Sequence, residues 1–367
     1  MTTLITGGSG FLGRHLIDQL VASGDADLRV LSRKPQPELE ALGIDVVQGS
    51  LLERAHLERA CQGVHRVFHL AGRVERDRRK AHLMYELHVD GTRLLLDVLR
   101  KSDTELHKIV VASTSGTVGV GTSSDFMATD DSPHAERIVR DWPYYLSKIY
   151  AEKICFDYVQ RYDMPIVQMR PTLLLGPGDH RESSTGDVVL FLKRDIPGVI
   201  EGGLSFVDVR DTASAFIAAM HSDQATAGDT FLLGAKNLTM EDFLKRLEYI
   251  SGVSAPTVSI PDSITRLGGG LLNMVNQVTD RFDAIDPVSL EMARHYWYID
   301  SSEARSRLGW SPRDPDVTLR DTVDWIRNHH PDFQEQQGPR PDPPPHLVPP
   351  ETVAYAAKLR GDHTDPS

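Results

Sequence analysis

Over its first 170 residues or so the chain alternates short aliphatic and β-branched runs with longer stretches of helical period. TLITG, LRVLSR, DVVQGS, RVFHLAG, KIVVAST and PIVQMRP read as strands. Between the first two, GFLGRHLIDQLVASG puts Leu12, Leu16 and Leu20 on one face of a helix. Runs such as IVV do not alternate with polar residues, so these strands are expected to be buried on both faces. Strands separated by helices and covered on both sides make a parallel α/β sheet.

Beyond residue 175 the pattern loosens. GPGDHRESSTGDVVLFLKRDIPG reads as a loop entering an amphipathic helix, and GLSFVDVRDTASAFIAAM as a strand followed by a helix. TMEDFLKRLEYISG and DTVDWIRNHH are further helices, and ITRLGGGLLNMVNQVTDRF reads as a core or lid helix. The expected layout is a nucleotide-binding core over 1–175, rejoined by 204–235, with a smaller lobe from 176–203 and 236–333. From 334 to 367 the proline density of QEQQGPRPDPPPHLVPP opposes both helix and sheet, so an extended or disordered tail is expected.

A net charge of −12 over 367 residues argues against a nucleic-acid surface. Two cysteines in so long a chain, Cys61 and Cys155, suggest a reducing compartment. No basic-then-apolar leader follows Met1, and no apolar run approaches the roughly 20 residues that span a bilayer, so a cytoplasmic protein is expected. The 15 histidines show no metal-ligand spacing, and no metal is expected.

TLITGGSGFLGRHL sets Gly7, Gly10 and Gly13 between the first strand and the first helix. A dinucleotide site needs glycines there for a tight turn, for close approach of a pyrophosphate, and for the helix to lie against the strand. The helix start then offers unpaired N–H groups to the diphosphate. The second strand ends LRVLSRKP, with Ser32, Arg33 and Lys34 where an NAD site carries a carboxylate for the ribose. Cations there suit a 2′-phosphate, so NADPH is expected over NADH, with NAD still possible.

In DWPYYLSKIYAEK, Tyr144 and Lys148 lie one helical turn apart and share a face with Ala151, Cys155 and Tyr158. Tyr145 is rotated about 100° away and reads as a packing residue. A lysine on an apolar stripe needs a polar partner. An ammonium beside a phenol, together with the positive nicotinamide of an oxidised cofactor, would favour the phenolate and lower its pKa.

TGGSGFLG followed by YYLSK resembles the extended short-chain dehydrogenase/reductase family, the NAD-dependent epimerase/dehydratase superfamily. The likeness runs over about residues 1 to 330, with FHLAG, VDGTRLL, MRPTLLLGPG and FVDVRDTA in the expected order. Within it the chain is similar to the dihydroflavonol-reductase and 3β-hydroxysteroid-dehydrogenase branch. The resemblance implies a Rossmann-type doubly wound parallel sheet with a smaller interleaved C-terminal substrate lobe. It implies Tyr144 as general acid/base, and Lys148 as the residue that holds the nicotinamide ribose and lowers the tyrosine's pKa. A third catalytic hydroxyl comes from VVASTSGTVGVG, where one alignment selects Ser115 and another Thr114, with Ser113 structural. The cofactor would run along Gly7, Gly10, Phe11, Leu12 and Gly13, then Ser32, Arg33 and Lys34, then Ser50 and Leu51, then Leu70, Ala71 and Gly72. It would end at Tyr144, Lys148 and Pro171. Two positions depart from the family's pattern: His88 stands where an asparagine is common, and Ser50 ends the third strand where an aspartate is common. His88 reads as structural. RVERDRRKAH reads as a solvated stretch, of which Arg73 comes nearest the site.

Three functions fit. The first is NADPH-dependent reduction of the ketone of a small, largely apolar substrate, with Val188, Val189, Leu190, Phe191 and Leu192 offering apolar pocket surface. The second is a nucleotide-sugar epimerase or dehydratase with retained NAD, which would need Lys193, Arg194 and Arg210 for a sugar diphosphate. The third is a non-catalytic NAD(P)-sensing protein. A homodimer is possible.

Overall fold

The computed structural model describes residues 1–25, 27–75, 78–260 and 287–334. The helix expected within 264–282 and nearly all of the proline-rich tail lie outside these residues. Seven strands form one parallel sheet: β1 (Thr2–Thr6), β2 (Leu28–Ser32), β3 (Asp45–Gln48), β4 (Val64–His69), β5 (Lys108–Ala112), β6 (Ile166–Pro171) and, later in the chain, β10 (Thr230–Leu233). Their order is β10-β6-β5-β4-β1-β2-β3. This is the doubly wound α/β sheet that the alternation of runs anticipates.

Neighbouring residues along the inner strands serve opposite layers. Ile5, Phe68, Val110 and Val167 pack with the helices Phe11–Ala22 and Val209–His221. Leu4, Val67, Ile109 and Ile166 pack under the helices Gly91–Arg100 and Pro143–Tyr162. A strand buried on both sides gains hydrophobic stabilisation from every residue, which is why these runs are continuously apolar.

The remaining strands are β7 (Leu173–Leu175), β8 (Val199–Ile200), β9 (Gly203–Asp208), β11 (Lys236–Thr239) and β12 (Ser259–Ile260). β9 lies between β7, parallel, and β11, antiparallel; β8 pairs with β12. Of the segment 204–235, β10 joins the large sheet, its helix covers that sheet, and β9 stays in the small one. Around the small sheet Leu175, Phe191, Phe206, Phe243, Leu319 and Ile326 form a separate core. Among the described residues no helix is long and apolar enough to cross a membrane.

Strand order reverses between β1 and β4, so loops leaving these two strands diverge to opposite sides. The crevice between them, at the carboxyl ends of the strands, is where this kind of sheet binds ligands.

Candidate active site

Gly7 and Gly13 build the floor of that crevice. Gly7 has φ +77°, and a Cβ on it would sit 2.7 Å from the Leu70 and Ala71 backbone. A Cβ on Gly13 would come within 2.3 Å of the Gly7 carbonyl oxygen. The first helix is capped by Gly10 with no side-chain bond and no acidic residue in its first turn, so no carboxylate competes for its amides. These residues fit a diphosphate laid across the turn, with Phe11 and Leu12 in the helix's first turn. The loop after β4 is tied down beside it: the Leu70 amide donates to the Thr6 carbonyl and the Ala71 amide to Thr6 Oγ1. Gly13→Ala is expected to cost about 1–3 kcal/mol by overpacking and to weaken dinucleotide binding. Urea unfolding and cofactor titration measure the two effects; unchanged values in both would remove the glycine floor from the account.

At the far end of the crevice, Ser32 is buried and its hydroxyl donates to the Lys34 carbonyl, while Gln36 donates to it in turn. Ser32 thereby shapes the turn that presents exposed Arg33 and Lys34. Arg33 and Ser50 line a cleft of about 480 Å³ together with Gln48, His56 and Arg59. The Ser50 amide donates to His56 Nδ1 at 3.1 Å, and a Cβ on Gly49 would strike the His56 ring. His56 was not apparent in the sequence as a site residue; no motif links it to Ser50. Leu51 is buried and presses against Gly91.

The long helix Pro143–Tyr162 starts with proline in its first turn and carries Tyr144 and Lys148 on one face. Lys148 is buried, and its ammonium donates to the Ala112 carbonyl at the end of β5, at 2.8 Å. Burial pulls its pKa down to about 8, with Glu152 pulling the other way. Burial pushes the Tyr144 phenol up to about 12. Of the protein's own groups the dominant influence on this ring is loss of water, which favours the protonated form. Tyr145 packs as expected, its ring against Gly116 and 5.0 Å from the Trp297 ring.

Thr114 and Ser115 both lie at the turn after β5. Thr114 caps the short helix Ser115–Thr117, accepting from the Gly116 amide, and Ser115 is buried in its first position. Ser113 is engaged elsewhere, donating to Glu152. Pro171 is buried at the end of β6, beside Leu233 of β10. Gly72 lies opposite the long helix, where a Cβ would be 3.4 Å from His88 Nε2 and 3.6 Å from Lys148 Nζ. The exposed Arg73 guanidinium pairs with Glu75, at 2.6 Å, while its amide faces inward.

The stripe carrying Lys148 is less apolar than the spacing suggested, for Ser147 and Glu152 are buried on it as well. Glu152 accepts from Arg170 Nη2 at 2.7 Å, His134 Nε2 at 2.8 Å and Thr117 Oγ1 at 2.9 Å, besides Ser113. This network fixes the β5 turn, β6 and the helix relative to one another.

In the smaller lobe, Val188, Val189, Phe191 and Leu192 are buried in its core, and Leu190 is half-buried. Lys193 pairs with Asp332, and Arg210 with Asp208 and Asp321. Arg194 is the exposed C-cap of the helix Gly186–Lys193.

Residues 3–234 match the model of the NAD dependent epimerase/dehydratase family. A Synechocystis protein named "Putative dihydroflavonol 4-reductase" is 28% identical over 331 residues, covering 89% of this chain and 94% of that protein. Sterol demethylase protein B of Methylococcus capsulatus is 27% identical over 336 residues, covering 89% and 98%. In fold, the chain is similar to the UDP-glucose 4-epimerase of Thermus thermophilus solved in complex with NAD. That likeness has a TM-score of 0.68 at 21% identity and covers 90% and 100% of the two chains.

Proposed function

The chain belongs to the NAD dependent epimerase/dehydratase family, and from that premise we propose that it is an NADPH-dependent reductase of a small, largely apolar ketone. The observation that carries the reading is geometric: Tyr144 lies one helical turn from buried Lys148, whose ammonium is anchored on the Ala112 carbonyl just before the Thr114–Ser115 turn. Carbonyl reduction consumes a proton, and a phenol that retains its hydrogen at neutral pH is the form that can donate it. The bound nicotinamide would supply the hydride. Lys148, anchored on Ala112, would hold the adjoining ribose, and the Ser115 or Thr114 hydroxyl would hold the carbonyl oxygen as its charge develops. The name dihydroflavonol 4-reductase on one relative supports reduction, and the sterol in the other's name, Sterol demethylase protein B, supports an apolar substrate.

For the nucleotide-sugar reading the basic residues are poorly placed, since Lys193 and Arg210 already neutralise carboxylates. We assign residues 1–172 and 209–235 to the cofactor-binding core, and 173–208 with 236–333 to the substrate lobe, since β7 and β9 belong to the small sheet. Consumption of NADPH with cyclohexanone and 1-decalone tests the function. No turnover with either, together with NAD retained through purification, would favour epimerisation.

The preference for NADPH rests on Arg33 and Lys34 at the end of β2. Arg33→Ala is expected to weaken NADPH binding about tenfold by loss of a charge-assisted bond, leaving NADH within about twofold. Fluorescence titration with both cofactors reads this; an equal loss for the two would end the 2′-phosphate assignment.

A further inference from the structure

We infer that His88, carrying its proton on Nδ1, is a positioning residue that locks the Gly72–Arg73 loop to the first turn of the Tyr144 helix. The inference rests on the reductase reading above and adds a role for a residue outside its chemistry.

The hydrogen atoms can be placed without ambiguity. The Arg73 amide donates to His88 Nε2 at 3.0 Å, so that nitrogen is an acceptor and holds no proton. Nδ1 must then carry the hydrogen, and its partner is Ser147 Oγ at 2.8 Å. Ser147 accepts it and gives its own hydrogen to the Tyr144 carbonyl at 2.7 Å. Every donor in this chain has one acceptor, and the direction runs one way, from loop amide to tyrosine. The His88 ring also stands edge-on to the Tyr144 ring, centroids 5.8 Å apart. One imidazole therefore fixes both the backbone and the ring of the same tyrosine.

The surroundings keep His88 neutral. It is 1% exposed, and the groups facing it are the Lys148 ammonium and His69 of β4. Burial, then Lys148, then His69 hold its pKa well below the usual 6.5. His69 is itself bound on both nitrogens, by Thr6 and Thr92, and burial brings it down to about 3. A neutral ring beside a buried ammonium avoids a second positive charge and supplies the acceptor that the Arg73 amide requires.

The test uses the full chain, cyclohexanone and 1-decalone as probes, and three variants. His88→Ala should lower kcat about 10- to 100-fold, the scale set by a small misplacement of a reacting group, with NADPH affinity within about twofold of the parent. His88→Asn retains a donor near the Nδ1 position and should recover part of kcat. Ser147→Ala should lower kcat too, and the double variant should be no slower than His88→Ala alone. Nitrogen-15 spectra of the imidazoles, assigned by the His88→Asn variant, should show the Nδ1-protonated tautomer from pH 6 to 8, a readout that needs no substrate. A parental kcat in His88→Ala while Tyr144→Phe is inactive, additive losses in the double variant, or an Nε2-protonated ring would each overturn the inference. Full turnover in Tyr144→Phe would instead overturn the reductase reading on which it rests.

Discussion

Tyr144→Phe should lower ketone reduction about a thousandfold while NADPH binds within about twofold of the parent affinity. The substitution removes one oxygen and leaves the ring that packs against His88 and Tyr145. In the proposed mechanism it removes the proton source, so the loss should fall in kcat. The reverse reaction sharpens the test. Oxidation of an alcohol needs the phenolate, and a phenol pushed up to about 12 supplies little of it near neutrality. Alcohol oxidation should therefore rise with pH through the alkaline range, and that rise should vanish in the Tyr144→Phe variant. A variant that still reduces ketones at the parental rate would eliminate this phenol as the acid.

The second large effect concerns stability. Arg170 is 3% exposed and Glu152 1% exposed, and the two are joined through both carboxylate oxygens. Glu152→Ala would leave a guanidinium buried without its carboxylate, with an expected cost of about 3–5 kcal/mol in urea unfolding. Burial by itself would raise the Glu152 pKa. The charge of Arg170, with bonds from His134, Arg170 and Ser113, more than offsets that and brings it from 4.5 to about 2. A carboxyl depressed by folding stabilises fully above its unfolded pKa. That contribution is lost as the pH falls from 4.5 towards 2. The parent should lose stability across this window, and the variant should be flatter there. A cost below about 1 kcal/mol would show that the network is dispensable.

How much of this could be read from the sequence depends on the distance over which each signal acts. Strands β1, β2 and β4 to β6 were legible because burial on both faces writes an apolar run into their centres, while the edge strand β3 showed only the pair Val46 and Val47. The glycine loop was legible because Gly7, Gly10 and Gly13, spaced by threes, satisfy a local backbone demand. The spacing of Tyr144 and Lys148 was legible because a helix brings fourth neighbours together. The burial of the phenol was not, since spacing records neighbours and says nothing of how much water the fold removes. His88 and Ser147 are 59 residues apart, and no periodicity connects an imidazole to a hydroxyl across two elements. Glu152 stood one turn from Lys148, an acid in a stripe otherwise read as apolar; that was the available hint of a buried network. The brief run TFLL gave too little pattern to show that β10, and not SFVDV, completes the large sheet.

That late strand has a consequence for how the protein is made. β10 covers the outer edge of β6, pairing Thr230 to Leu233 with Gln168 to Pro171. On a ribosome the first six strands emerge while the residues that shield this border are still untranslated. Until they arrive, the newborn sheet presents a bare row of amides and carbonyls, the kind of margin on which chains adhere to one another. Trimming the protein to its first 175 residues, to obtain a minimal nucleotide-binding unit, would make that transient hazard permanent.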